Sequence, residues 1–209
     1  MLEFLIIAFV IGLLYLSEIE IIRNYVYLLS FQGFLLFSVA SLELKDLDWL
    51  NFGFILIETL IVKALFVPYL LHRIARRTQI RRNNKVFLRG NASVVIATLI
   101  VILSFSLAHW LHDEGLQVKY FAAAISSLLI GLYVGINHKD LITHIISFLI
   151  IEDGLFMLSL ALGTEMPMLV NTAILLDVFG SFLVMGIFFN RVMIHFKDAQ
   201  TDELTALKD

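Results

Sequence analysis

The chain has no cysteine. Disulfides, iron–sulfur clusters and thiolate metal sites are therefore outside its own chemistry. Charge is scarce as well: Asp, Glu, Lys and Arg make up 16% of 209 residues, against 60% hydrophobic residues. A soluble domain of this size could not bury so much apolar side chain, so lipid must be the solvent for much of it. Only two prolines, Pro68 and Pro167, interrupt the chain, and no low-complexity or linker stretch divides it. Residues 1–209 thus read as a single transmembrane domain. A basic leader and a small-residue cleavage site are lacking at the start, where Glu3 stands instead, so the first apolar segment is expected to stay in the membrane. Gly-rich phosphate loops and nucleophile–base arrangements are missing too, which leaves no catalytic residue to name. A two-haem carrier would need paired histidines at membrane depth. His144 comes closest to a midplane, and it has no such partner, so neither a cofactor nor a metal is expected in this chain.

What is present is a series of apolar runs of spanning length, at about 2–17, 25–43, 51–72, 92–111, 118–136, 141–163 and 168–189. The expected fold is all-α: a polytopic membrane protein, a bundle of about seven transmembrane helices. One connection is long and basic, carrying Arg73, Arg76, Arg77, Arg81, Arg82, Lys85 and Arg89 within 73–91. Placing that loop inside also places Arg23, Lys139, Arg191, Lys197 and Lys208 inside, and leaves only Lys45 and Lys119 outside with most of the loop carboxylates. The asymmetry puts the N-terminus out and the C-terminus, with its tail 190–209, in. A run of arginines can suggest nucleic acid. Beside a span it sets topology and meets anionic lipid, so lipid contact through 73–89 is expected and nucleic acid is not. His109-Trp110-Leu111-His112 has a spacing that could hold a metal, yet its Trp at a helix end marks an interfacial anchor.

Ionisable side chains inside spans ask for a reason, because one at mid-bilayer costs about 2.5–3.5 kcal/mol on insertion scales. Five qualify: Glu58 and Lys63 in the third run, Glu152 and Asp153 in the sixth, Asp177 in the seventh. Glu152 and Asp177 fall near the midplane, roughly 16 and 14 Å into their helices at about 1.5 Å per residue. Consecutive residues point about 100° apart, so Glu152 and Asp153 cannot share one narrow face. Thr143, Ser147 and Gly154 form a further stripe with His144 beside it, and the sixth helix should therefore be surrounded by protein. Small residues Gly180 and Ser181 near Asp177 admit a close neighbour. Glu58 and Lys63 are poorly spaced to pair with each other, so Lys63 should meet a carboxylate of another helix or another subunit. Pro68 cannot donate to the carbonyl of Ala64, which predicts a kink one turn beyond Lys63. Such groups can serve a proton relay or hold helices in register as static pairs.

Several of these residues carry a resemblance. Gln32 in the second run, Val62-Lys63-Ala64-Leu65-Phe66-Val67-Pro68 in the third, Glu152-Asp153-Gly154 in the sixth and Asp177-Val178-Phe179 in the seventh resemble the hydrogenase-4 component E family. So does the closing Leu204-Thr205-Ala206-Leu207-Lys208-Asp209. These are small membrane subunits of formate hydrogenlyase-type complexes, and the likeness runs over nearly the whole length. The last three runs are also similar to the three-helix K-type subunit of complex I and the C-type subunit of multisubunit sodium/proton antiporters. In the K-type pattern two helices each carry a buried glutamate implicated in proton transfer. Asp177 falls at the second such position; Leu149 falls at the first, with the acid one turn later as Glu152, and Asp153 replaces an asparagine. The resemblance implies a subunit of the cell inner membrane beside antiporter-like and quinone-site-like membrane subunits. A peripheral Fe–S/[NiFe]-hydrogenase-type module would do the redox chemistry. The implied role is lining or supporting a proton or sodium path. A purely structural assembly subunit is the alternative, and an independent small transporter a third, although no repeat points to one.

Overall fold

The computed structural model describes residues 1–19, 21–43, 53, 57–66, 68–69, 71, 87–88, 90–111, 117–139, 141–162, 180 and 186, with the backbone alone at Ile22, Ile57, Glu58, Thr59, Val62, Leu141 and Ile142. The chain forms two compact units, Met1–Ile174 and Leu175–Asp209. Only Gly180 and Gly186 are described in the second. The expected seventh span 168–189 with Asp177, the tail 190–209, most of the basic connection 73–91 and the side chain of Glu58 therefore lie outside the described residues.

Within the first unit the described elements are all helical: α1 (Leu2–Glu18), α2 (Ile22–Glu43), a π-helix π1 (Ile57–Phe66), α3 (Asn91–Trp110), α4 (Val118–Asn137) and α5 (Leu141–Ala161). An apolar solvent explains the choice, since a helix satisfies its backbone polar groups internally while presenting apolar side chains outward. Among the described residues four stretches, Arg23–Glu43, Asn91–Trp110, Val118–Asn137 and Thr143–Ala161, are long and apolar enough to cross a bilayer. The protein is a multi-pass membrane protein. α1, with 17 residues, is slightly shorter.

Polar contacts gather the helix termini into two ends. At one, Gln117 Nε2 and Tyr120 Oη donate to the two carboxylate oxygens of Glu43 at 2.7 and 3.0 Å, the Gln117 amide donates to Ala161 O at 3.0 Å, and Lys119 pairs with Glu3. At the other, Ser93 Oγ donates to Ser17 O at 2.6 Å and accepts from Tyr133 Oη at 2.9 Å. Asn137 there clamps Leu88, accepting from its amide at 2.8 Å and donating to its carbonyl at 3.0 Å. By these contacts α1 and α4 run one way and α2, α3 and α5 the other, with π1 lying between the parallel α2 and α3 in the chain. Gly90, at φ 58°, turns the chain into α3 in a conformation that suits glycine alone.

Packing is closest between α4 and α5. Gly131 and Gly135 form a GxxxG pair on α4, the pattern that lets helix backbones approach without lipid-driven collapse. A Cβ on Gly131 would lie 3.0 Å from Ser147 O and 3.1 Å from Ile151 N; one on Gly154 of α5 would lie 3.0 Å from Leu128 N and 3.1 Å from Ala124 O. α5 is the most enclosed of the four long helices and α3 the least. The protein-surrounded helix expected from the polar faces of residues 143–159 is the one the fold encloses. Trp110 is 82% exposed at the end of α3, and a groove of about 520 Å³ runs along part of the α1–α3 contact, lined by Ile6, Val10, Ile102 and Phe105.

Candidate functional site

The buried polar groups converge at mid-depth. Glu152 and Asp153 lie about 11 and 12 residues into α5, roughly 17 Å from its start and close to its middle. Both are buried, Glu152 with 3% of its surface exposed. Lys63, six residues into π1, is buried too, and its Nζ donates to Asp153 Oδ1 at 3.2 Å. The lysine thus meets a carboxylate of another helix. The ring of Phe156, one turn beyond Glu152, stands 5.7 Å from the same ammonium, within cation–π range. Taking the two charges out of water costs several kcal/mol per ion, which their attraction repays only when further polar contacts assist.

The helix carrying Lys63 is itself unusual. Pro68 cannot donate to the carbonyl of Ala64, the residue next to the lysine, which in a regular α-helix would lack its donor. Ser30 of α2 supplies the missing donor: its Oγ donates to Ala64 O. Over Ile57–Phe66 the segment winds as a π-helix, a wider winding that frequently marks functional segments; the kink expected one turn beyond Lys63 falls where residues 67 and 70 lie outside the described ones. Contact with α2 is tight because Gly33 faces it, where a Cβ would lie 3.0 Å from Ala64 N and 3.2 Å from Lys63 C.

Beside Gly33, Gln32 is fully buried, and neither its Oε1 nor its Nε2 finds a hydrogen-bond partner among the described residues. It packs against Gly12 of α1, whose Cβ, if present, would lie 3.4 Å from Nε2. One layer of the bundle thus holds Gly12, Gln32, Gly33, Lys63, Glu152, Asp153 and Gly154. The glycines bring the backbones close and the polar side chains fill what is left. Such a layer suits transient occupancy by protons, water or a small cation: two carboxylates, one ammonium that competes with any incoming cation for Asp153, and an amide able both to donate and to accept. Among the described residues no three His, Asp or Glu side chains converge as a metal ligand set.

Of the residues singled out from sequence, Lys63, Glu152 and Asp153 come together in this layer. His144 does not: it is exposed, one turn from the start of α5. Glu58 shares π1 with Lys63, its side chain outside the described residues, and Asp177 lies wholly outside them. One polar pair escaped the sequence reading. His138, which ends α4, is buried; its Nδ1 is 2.8 Å from Val134 O and its Nε2 is 3.3 Å from the hydroxyl of Tyr25, itself fully buried in α2. A histidine in a short connection reads as a loop residue. The available signal was Tyr25, which stands two helical turns from Gln32 on the same face of α2.

Over 214 aligned residues the chain is 25% identical to an uncharacterized protein of Mycobacterium tuberculosis, Rv0085, an alignment that covers 98% of this chain and 97% of that one. No protein-family model matches the chain. No solved structure matches it.

Proposed function

We propose that this protein is a membrane-arm subunit of a complex I-related assembly of the hydrogenase-4/formate hydrogenlyase type, in which the mid-depth layer lines or supports a path for protons or sodium ions. The observation that carries the reading is the burial of Lys63, Glu152 and Asp153 at one depth of a bundle of membrane-length helices. Intramembrane ionisable groups are expensive and mark ion pathways by default. In this reading the chain has about seven spans, N-terminus outside and C-terminus in the cytoplasm, and resides in the cell inner membrane. It does no redox chemistry. A peripheral Fe–S/[NiFe]-hydrogenase-type module supplies the electrons, and antiporter-like and quinone-site-like membrane subunits flank it.

The layer would work by competition. Asp153 can be neutralised by the Lys63 ammonium or by an arriving proton, and whichever wins leaves the other charge seeking a partner. A helix shift in a neighbouring subunit that moves Lys63 away from Asp153 would favour proton uptake, and its return would favour release. Glu152 offers a second carboxylate at the same depth.

A second reading is favoured by the same 3.2 Å pair: a static lock that keeps π1 and α5 in register while the subunit fills a gap in the assembly. Gentle-detergent purification of the tagged chain, with mass spectrometry of what is retained, tests the shared premise. Antiporter-like subunits and an Fe–S-containing large subunit should co-purify. A chain that runs alone or only with itself would overturn both readings and promote an independent transporter.

A further inference from the structure

We infer that the Tyr25–His138 pair is the group through which the mid-depth acids exchange protons with one side of the membrane, the side where Asn137 clamps Leu88 and the basic connection ends. The inference rests on the ion-path reading and names its port.

The geometry sets the tautomer. Val134 O can only accept, so His138 Nδ1 carries the hydrogen in the 2.8 Å contact. Nε2 is then an acceptor, and the Tyr25 hydroxyl donates to it at 3.3 Å, with the two rings edge to face, their planes 80° apart. Loading one proton balances without any further reactant. The Tyr25 hydroxyl hydrogen passes to Nε2 while the Tyr25 oxygen takes a hydrogen from hydronium, giving imidazolium, an intact phenol and water. Discharge reverses the bond: Nε2–H returns its proton to the Tyr25 oxygen as the phenol passes its own hydrogen onward. A pair fixed at both ring nitrogens does this without reorienting the imidazole.

The pair also has somewhere to send the proton. Gln32 lies two turns up the face of α2 that carries Tyr25, with both amide atoms buried and without hydrogen-bond partners among the described residues. A buried amide in that condition can hold an internal water where the site has room for one. On α5, buried Thr143 and Ser147 stand between the His138 end and Glu152, about 14 Å along the helix from Thr143. Among the described residues, the Tyr25 hydroxyl faces the imidazole directly. Glu18, Arg23, Lys139 and His144 occupy the same end of the bundle, all exposed. A proton collected among these surface groups meets His138 as the buried titratable side chain next inward.

The test uses the full chain in lipid nanodiscs. Infrared spectroscopy after a pH jump follows the C=O stretch of protonated carboxyl groups, assigned with Glu152→Gln and Asp153→Asn. Nitrogen-15 NMR follows the imidazoles, with His138 identified by its loss in His138→Gln. The wild type should show an Nδ1–H tautomer at His138 that takes a second proton as the pH is lowered. His138→Gln and Tyr25→Phe should each slow the carboxyl response at least about tenfold, as loss of a positioned proton carrier does, and leave its final amplitude unchanged. A carboxyl response that keeps its wild-type rate in both variants would overturn this inference and leave the ion-path reading standing. So would a His138 imidazole that never takes a second proton. Carboxyl bands that do not respond even in the wild type would instead overturn the ion-path reading itself.

Discussion

Among the described residues, two lysine–carboxylate pairs have opposite character. Lys119 and Glu3 meet at one end of the bundle, with their side chains 62% and 72% exposed; Lys63 and Asp153 meet at mid-depth, 6% and 5% exposed. The first is bathed in water or headgroups, screened by salt, and free to break and reform. The second joins helices 90 residues apart in sequence and has given up its hydration to do so. The difference teaches where electrostatics has consequences here. At the surface a pair is an accident of composition. In the layer, every charge must be answered, and a change in one protonation state changes the partner available to the next.

The largest effect should follow from breaking the buried pair on one side. Lys63→Met leaves Asp153 without its ammonium and should lower stability by about 3–5 kcal/mol, read as thermal unfolding in nanodiscs. Adding Asp153→Leu should recover most of that loss. If the double variant stays as unstable as the single, the two side chains are not energetically one unit. Next comes the packing that brings the layer together: Gly154→Ala drives a methyl against Leu128 N and Ala124 O, and should cost about 1–3 kcal/mol. A neutral outcome would mean that α4 and α5 stand farther apart than described. Smaller still, Ser30→Ala removes the donor to the Ala64 carbonyl and should cost about 1 kcal/mol, whereas Ser38→Ala, which frees a carbonyl on an exposed face of its own helix, should cost less. At the bottom, Glu3→Gln should leave the unfolding temperature unchanged at physiological salt. A clear drop would erase the contrast between the two pairs.

Much of the helical framework was legible because hydropathy and length report the same constraint, an apolar solvent of fixed thickness. The run read at 118–136 is α4 within a residue at its end. α2 begins at Ile22 rather than 25 because Arg23 and Asn24 are polar yet helical, and a hydropathy window sees the slab instead of the helix. The third run kept a different secret. Pro68 announced an orphaned carbonyl, but a π-helix has no sequence periodicity distinct enough to name, and its donor Ser30 comes from another helix. The same holds for the site. That Lys63 needed a carboxylate elsewhere followed from its cost in lipid; that the carboxylate is Asp153, with Glu152 beside it, depends on a helix packing that no local pattern encodes. His138 was missed because its hydroxyl partner, Tyr25, comes more than a hundred residues earlier.

The central claim is that the mid-depth carboxylates move ions and do more than hold helices together. Glu152→Gln, introduced into the intact host complex, separates the two most directly, with the number of ions moved per electron transferred as the measurement and subunit content as its control. An ion path requires that the ratio fall while the complex assembles with every subunit present. An unchanged ratio in a fully assembled complex, or a complex that no longer assembles, would contradict the claim and leave the layer as a structural lock.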